Sequence, residues 1–386
     1  MRKVKVDFIT NQAPHYRAAL WKRLIEDESL DVRFLFGEGR GKSIKPIDFT
    51  EARWQGDAAR FGRVRNVYLK GVLVWQRGVI GHVRKTDAEA LVLLGQMYVV
   101  SMWLVAWLAR RRGIRVLFWG HGAYGREGRI KRWFRARFQA LADQVLVYGE
   151  HARRLLIADG VYPAQVRVVY NSLVHARQVQ LRDSLVNPDF FVRQGWFDQP
   201  SAPVLLFIGR LTRQKSLDRL IAAVAELRAE RRVFNVLFVG DGPERARLRA
   251  LARTIPGQVH FYGACYEEDR LARLIANADL CVSPGEVGLT AMHALAYGTP
   301  VCTHGDMNYQ MPEAEVVVEG RTGVLFDRQS MDIAGAIRRW FATGLDRAVV
   351  REACYREIDE KWNTENQARI IQKAILDSTN GSWSGG

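Results

Sequence analysis

Residues 203–215 read PVLLFIGRLTRQK. Between Pro203 and Gly209 lies an unbroken apolar run of the length and kind that suits a strand buried on both faces of a parallel sheet. Arg210 and Lys215 follow at its carboxyl end, where open α/β sheets hold their ligands. Two cations at that place fit a diphosphate. The same pattern of strand, turn and helix recurs downstream as NVLFVG (235–240), VHFYG (259–263), ADLCVSP (278–284), PVCTH (300–304) and GVLF (323–326). Helical stretches at 216–228, 243–252, 266–276 and 288–297 separate these strands. Upstream, VKVDFIT (4–10), DVRFLF (31–36), ALVLLG (90–95), RVLFWG (115–120), QVLVYG (144–149) and VRVVYN (166–171) alternate with helical periodicity in the same way.

Alternation of this kind predicts the α/β class, with two Rossmann-like doubly wound parallel-sheet domains. The expected boundaries are an N-terminal domain over 1–175, a connection over 176–202 and a C-terminal domain over 203–358. The connection is read from a weakened pattern that contains Asn187-Pro188 and Gln199-Pro200. A C-terminal helix over 359–379 follows, with the N-terminal domain as its candidate packing partner, and 380–386 reads as a flexible end. Val92 to Ala109 is nearly apolar enough to span a membrane, but Gly95-Gln96 divides it into a short strand and a helix of a buried core.

The chain has 386 residues, and 48% apolar content excludes a disordered chain. Lys+Arg of 57 against Asp+Glu of 41 leaves a net charge of +16. That excess favours phosphate-bearing substrates, an anionic membrane surface or a polyanion. Cys265, Cys281, Cys302 and Cys354 form no Cys-x-x-Cys pair, so a reducing compartment and no structural metal are expected. The N-terminus turns polar at Thr10, Asn11 and Gln12; it lacks the apolar core of a signal peptide and reads as a first strand.

Two further elements carry chemistry. In Val239-Gly-Asp-Gly-Pro-Glu244, Pro243 suits the first turn of a helix, and Asp241 and Glu244 read as helix-start residues before ligands. In the stretch 283–301, SPGEVGLTAMHALAYGTPV, Gly288 opens a helix whose free N–H groups suit a phosphate. Glu286 stands at its mouth and His293 in its second turn. Thr303 to Glu313 is a polar loop in which Asn308 and Gln310 are candidate hydrogen-bonding partners of a ligand. Arg126, Arg129, Lys131, Arg132, Arg135 and Arg137, with Trp133, Phe134 and Phe138 among them, mark a basic aromatic helix. It suits anionic lipid or nucleic-acid phosphates, or is a solvated face.

These motifs resemble the retaining glycosyltransferases of the two-Rossmann GT-B fold, in family 4. Gly209-Arg210-Leu with Lys215, Val239 to Glu244, and Gly288-Leu289 with Ala294 to Pro300 carry the likeness. The N-terminal half is similar through Asn11 to Arg17, Trp119-Gly-His121-Gly122 and the strand ending at Asn171. The resemblance implies two domains facing a central cleft and metal-independent transfer of a sugar, with retained configuration, from a nucleotide diphosphate sugar to a glycan or lipid-linked acceptor. Cell-surface polysaccharide biosynthesis, a cytoplasmic location and peripheral attachment at the inner face of the cytoplasmic membrane go with it. No cofactor is expected, the nucleotide sugar being substrate, nor is a specific nucleic acid.

Placed on matching residues, the catalytic set is His121, Glu286, Arg210 and Lys215. Donor binding falls to Gly209, Arg210, Lys215, Asp241, Gly285, Glu286, Gly288, Leu289, Thr290, His293 and Glu313, and acceptor binding to Pro14, His15, Tyr16 and Arg17. The family motif carries glutamates where this chain has Gly285 and His293, and Glu286 is displaced by one. Because of that departure a non-catalytic relative that binds nucleotide sugar or glycan stays open, and the +16 charge keeps a nucleic-acid binder open as well.

Overall fold

The computed structural model describes residues 2–38, 45–69, 72–182, 185, 187 and 189–379. Pro188 and the flexible end expected over 380–386 lie outside the described residues. The chain divides into two units, Met1–Leu173 with Asn363–Gly386, and Val174–Trp362.

The first unit carries β1 (Val4–Thr10), β2 (Leu30–Phe36), β3 (Phe61–Arg63), β4 (Arg65–Leu69), β5 (Leu73–Arg77), β6 (Ala90–Leu94), β7 (Arg115–Gly120), β8 (Gln144–Val147) and β9 (Val166–Val168). Its helices are α1 (Ala18–Ile25), α2 (Val79–Lys85), α3 (Val100–Arg111), α4 (Arg129–Gln139) and α5 (Glu150–Ala158). The main sheet runs β3-β2-β1-β6-β7-β8-β9, all parallel, while β4 and β5 form a separate antiparallel hairpin. Alternate residues of β1 serve opposite faces: Val6 and Phe8 join a core with α1, and Ile9 joins one with α2 and α3. Trp21 of α1 stacks on Phe34 of β2 at 4.2 Å. The stretch from Val92 to Ala109 is β6 leading into α3, and no helix among the described residues is long and apolar enough to cross a membrane.

The second unit carries α6 (His175–Arg182), α7 (Phe190–Gln194), β10 (Val204–Ile208), α8 (Leu217–Ala229), β11 (Asn235–Val239), α9 (Arg245–Ala252), β12 (Val259–Gly263) and α10 (Glu268–Asn277). Then come β13 (Leu280–Ser283), α11 (Leu289–Ala296), β14 (Val301–His304), β15 (Gly323–Phe326), α12 (Ile333–Ala342) and α13 (Arg347–Glu360). The sheet runs β12-β11-β10-β13-β14-β15, again parallel. The strand order reverses at β10, so the switch point lies at the loop quoted first above.

Two expectations change. The stretch 176–202 is no bare connection but part of the second unit. It is anchored where the buried Arg182 donates to Ala296 O at 2.9 Å and to both carboxylate oxygens of Asp359 at 2.7 and 2.9 Å. The C-terminal helix starts at 364: α13 continues to Glu360 and stays with the second unit, and α14 (Thr364–Thr379) belongs to the first. There α14 buries Ala368, Ile371, Ala374 and Ile375 beside α1, and Gln367 donates to Tyr170 O at 2.7 Å. The β4–β5 hairpin went unread because its charged, half-exposed residues lack the apolar runs of the sheet strands.

Candidate functional site

In the second unit the loops after β10, β11 and β13 meet. Gly209 N donates to Val239 O at 3.0 Å, Leu211 N to Asp241 O at 3.0 Å and Glu244 N to Leu211 O at 3.1 Å. The fit is too close for side chains. At Gly240, with φ of 147°, a Cβ would lie 1.9 Å from Gly209 O. At Gly285 a Cβ would lie 2.3 Å from Gln214 O, and the Gly285 amide donates to Lys215 O at 3.2 Å. The loop carrying Lys215 occupies the space that a side chain at 285 would need.

The Lys215 ammonium donates to the backbone oxygen of Glu286, which joins the two loops a second time. Burial draws its pKa below the ordinary lysine value, against the pull of the Glu286 charge. Thr290 Oγ1 donates to Ile208 O at 3.2 Å, tying the first turn of α11 to the end of β10. Gly209, Lys215, Gly285, Glu286 and Thr290 therefore share one hydrogen-bonded cluster, with Gly288 as the N-cap of α11 and Leu289 its first residue. Arg210 is exposed on the same loop, and Glu286 also turns its side chain outward.

The structure places four other expected residues in the loops around this cluster. Gln310 is only 3% exposed; its amide accepts from Val287 N at 2.9 Å and donates to Thr303 Oγ1 at 2.8 Å and His304 O at 3.0 Å. All of that chemistry holds the 283–287 loop in shape. Glu313 is 2% exposed in the 3-10 turn Pro312–Val316. Asp241 accepts from Gly242 N at 2.7 Å and pairs with Arg245 at 2.9 Å, as a helix-start residue does. The Asn308 backbone N–H donates to the Asp306 carboxylate at 3.2 Å.

His293 meets Glu268 of α10 at 3.0 Å, and Tyr297 donates to the same carboxylate oxygen at 2.5 Å. Burial raises the Glu268 pKa, but the bonds from His293 and Tyr297 outweigh it and hold the carboxyl below its ordinary range. The sequence reading did not single out Glu268; it sits in the first turn of an amphipathic helix and carries no local signal that it faces His293.

In the first unit the chain after β1 makes a 3-10 turn, His15–Arg17. Pro14 is bridged to Pro46, and His15 N donates to Lys45 O at 2.9 Å, with the His15 ring 3.1 Å from the same oxygen. Tyr16 meets the His15 ring edge-on at 5.9 Å. Arg17 lies 4.4 Å over the Trp119 ring and donates to the Tyr148 hydroxyl. His121, just past β7, packs 5.0 Å from the Tyr148 ring and 5.8 Å from Tyr124. Arg17 and His121 thus share one aromatic nest. Burial first, and then the Arg17 charge, push the His121 pKa down to about 4, so its imidazole is neutral at pH 7. Its Nδ1 has no hydrogen-bond partner among the described residues.

The fold is similar to solved glycosyltransferases. The apo lipopolysaccharide outer core galactosyltransferase WaaB matches at TM-score 0.69 and 16% identity, over 97% of this chain and 99% of that one. Alr3699/HepE of Anabaena in complex with UDP-glucose matches at TM-score 0.63 and 16% identity, over 97% and 99%. Among curated relatives, a GDP-mannose-dependent alpha-(1-6)-phosphatidylinositol dimannoside mannosyltransferase of Mycobacterium tuberculosis is 32% identical over 150 residues, 38% of this chain and 37% of that protein. The sulfoquinovosyl transferase SQD2 of Arabidopsis thaliana is 27% identical over 238 residues, 60% and 44%. These alignments span less than half the length of either relative. Residues 202–343 match the family described as glycosyl transferases group 1, and residues 68–177 match glycosyltransferase family 4. With both units matched in sequence and the two-Rossmann architecture in place, the chain belongs to the GT-B glycosyltransferases of family 4.

Proposed function

We propose that the protein transfers a sugar from a nucleotide diphosphate sugar to a hydroxyl of a glycan or lipid-linked acceptor, with retention of anomeric configuration, in cell-surface polysaccharide biosynthesis. The observation that carries this reading is the meeting of the 209–216 and 284–288 loops, which sets Lys215 against the residues that open α11. Arg210, Lys215 and the amides of Gly288 to Thr290 take up the charge that develops on the departing diphosphate, without a metal. Relatives point to the donor class: the mycobacterial enzyme is named for GDP-mannose, and HepE binds UDP-glucose. Neutral His121 both donates and accepts hydrogen bonds, which suits a sugar hydroxyl. Glu286 and His293 complete the donor contacts, and Pro14, His15, Tyr16 and Arg17 receive the acceptor. The protein works in the cytoplasm at the inner face of the cytoplasmic membrane.

A second reading, a nucleotide-sugar-binding relative without turnover, draws on Gly285, where close packing excludes the family's carboxylate. Thermal shift against nucleotides and nucleotide sugars tests both. One nucleoside diphosphate and its sugars are expected to raise the melting temperature, by the equivalent of about 2.7 kcal/mol at a hundred times Kd. Release of nucleoside diphosphate with acceptor then separates the transferase from the binder, and no shift with any nucleotide overturns both.

A further inference from the structure

Beside α4 the first unit has a concavity of about 930 Å³, lined by Leu73, Met97, Tyr98, Trp103, Ile130 and Phe134, with Arg129 and Lys131 at its rim. That volume falls in the range of about 300–1,000 Å³ typical of small-molecule sites. Its walls are almost wholly apolar, and they are wet. Ile130 is 77% exposed and Phe134 50%. Two large apolar side chains exposed within one helix turn, beside an open apolar concavity, mark an interaction surface. Other large apolar side chains exposed on the same elements are Trp133 on α4, Leu104 and Trp107 on α3, and Leu69 and Val72 flanking the hairpin turn.

Charge selects the occupant. Arg129 and Lys131 make no ion pair with any described residue, and Lys131 lies 5.4 Å over the Tyr98 ring. Arg137 lies 5.2 Å over Trp133, and Arg111 lies 4.7 Å over Trp107. Cations resting on exposed aromatic rings are placed as at a lipid–water boundary, apolar body below and charge above. Arg132 and Arg135 are not part of this rim. Arg135 is 5% exposed between Glu127 at 2.8 Å and Asp159 at 2.6 Å, and Arg132 pairs with Asp159 at 2.5 Å, so both serve the fold.

We propose that this concavity seats one hydrocarbon chain of an anionic membrane lipid, with the lipid phosphate on Arg129 and Lys131. The proposal deepens the reading of a transferase that works on a lipid-linked acceptor at a membrane, and rests on it for the biological role of the site. Each methylene buried there multiplies affinity about fourfold, and each cation near an anionic surface about fivefold.

The test uses the full chain and dioleoylphosphatidylglycerol/phosphatidylcholine vesicles doped with a phosphatidylglycerol that carries a diazirine in its acyl chain. The wild-type protein is expected to bind these vesicles, and light to label peptides containing Leu73, Met97, Trp103 or Phe134. Arg129→Gln with Lys131→Gln should weaken binding about thirtyfold. Ile130→Asp with Phe134→Asp should weaken it at least tenfold and abolish the label; both residues are exposed, so the circular dichroism melt should stay at the wild-type value. Unchanged binding or labelling in the Ile130/Phe134 variant overturns the proposal, because the contact is then surface charge alone. So does vesicle binding abolished by duplex DNA with no acyl label in any protein. Nucleotide thermal shift, run on the same variants, keeps the two ideas apart. Groove labelling without any nucleotide shift leaves the lipid site standing and sinks the transferase.

Discussion

The two units solve the same problem at the carboxyl ends of their strands by opposite means. In the second unit the loops after β10, β11 and β13 are built from backbone: Gly240 and Gly285 abut carbonyl oxygens so closely that no side chain fits, and Lys215 is held by a carbonyl. In the first unit the corresponding end is filled with side chains, Arg17 on Trp119 and Tyr148, and His121 against Tyr148 and Tyr124. Amides present a fixed array of donors, suited to a ligand part that never varies, such as a diphosphate. Side chains offer shape and tunable protonation, which suit parts that differ from one substrate to the next.

The largest effect expected from this contrast is on stability. Gly240→Ala adds a Cβ 1.9 Å from Gly209 O at a φ that alanine does not tolerate, and should cost about 4 kcal/mol from strain and overpacking together. Urea denaturation followed by fluorescence reads it, and a midpoint within experimental error of wild type breaks the claim that backbone contact dictates the glycine. Lys215→Ala comes next. It should leave the fold intact and lower turnover by about 10² to 10³, roughly 3 kcal/mol, as loss of a charge-stabilising donor does; near-normal turnover removes Lys215 from the chemistry.

The smallest effect sharpens the comparison through pH. His121 in the first unit and His304 in the second are both pushed down to about 4, by burial first, with help from Arg17 and Arg328 respectively. An unfolded histidine titrates near 6.5, so each neutral ring contributes stability above that pH, and the contribution is lost as pH falls from 6.5 towards 4. Allowing for partial solvent access, each is worth about 2 kcal/mol. His121→Gln and His304→Asn should each flatten the wild-type loss over that interval in urea titrations. An unchanged slope means the imidazole is already protonated in the folded state.

The sheets were legible because runs such as VLLFI and NVLFV are short, lead into glycine and carry β-branched and aromatic residues, which together favour a buried strand, and the loop that carries Arg210 and Lys215 follows the first of them directly. Partners distant in sequence were not legible. Gly285 looks like a lost carboxylate until Gln214, 71 residues earlier, is seen above it; 285 − 214 gives that separation. Arg135 looks like a surface cation until Glu127 and Asp159 enclose it, and Gln310 looks like a ligand until Thr303 and Val287 use its amide. In each case composition and period give the residue's place along the chain, while its role depends on a contact that only tertiary structure supplies.

The return of α14 to the first unit bears on how the protein is made. The second unit is one continuous stretch, Val174–Trp362, and has everything it needs once that stretch has left the ribosome. The first unit, though synthesised earlier, waits: until α14 emerges, the face of α1 that packs beside Ile371 and Ile375 has no cover. The half of the molecule that begins first is therefore completed last, and during that interval its open core is the part of the nascent chain most exposed to aggregation and to chaperones.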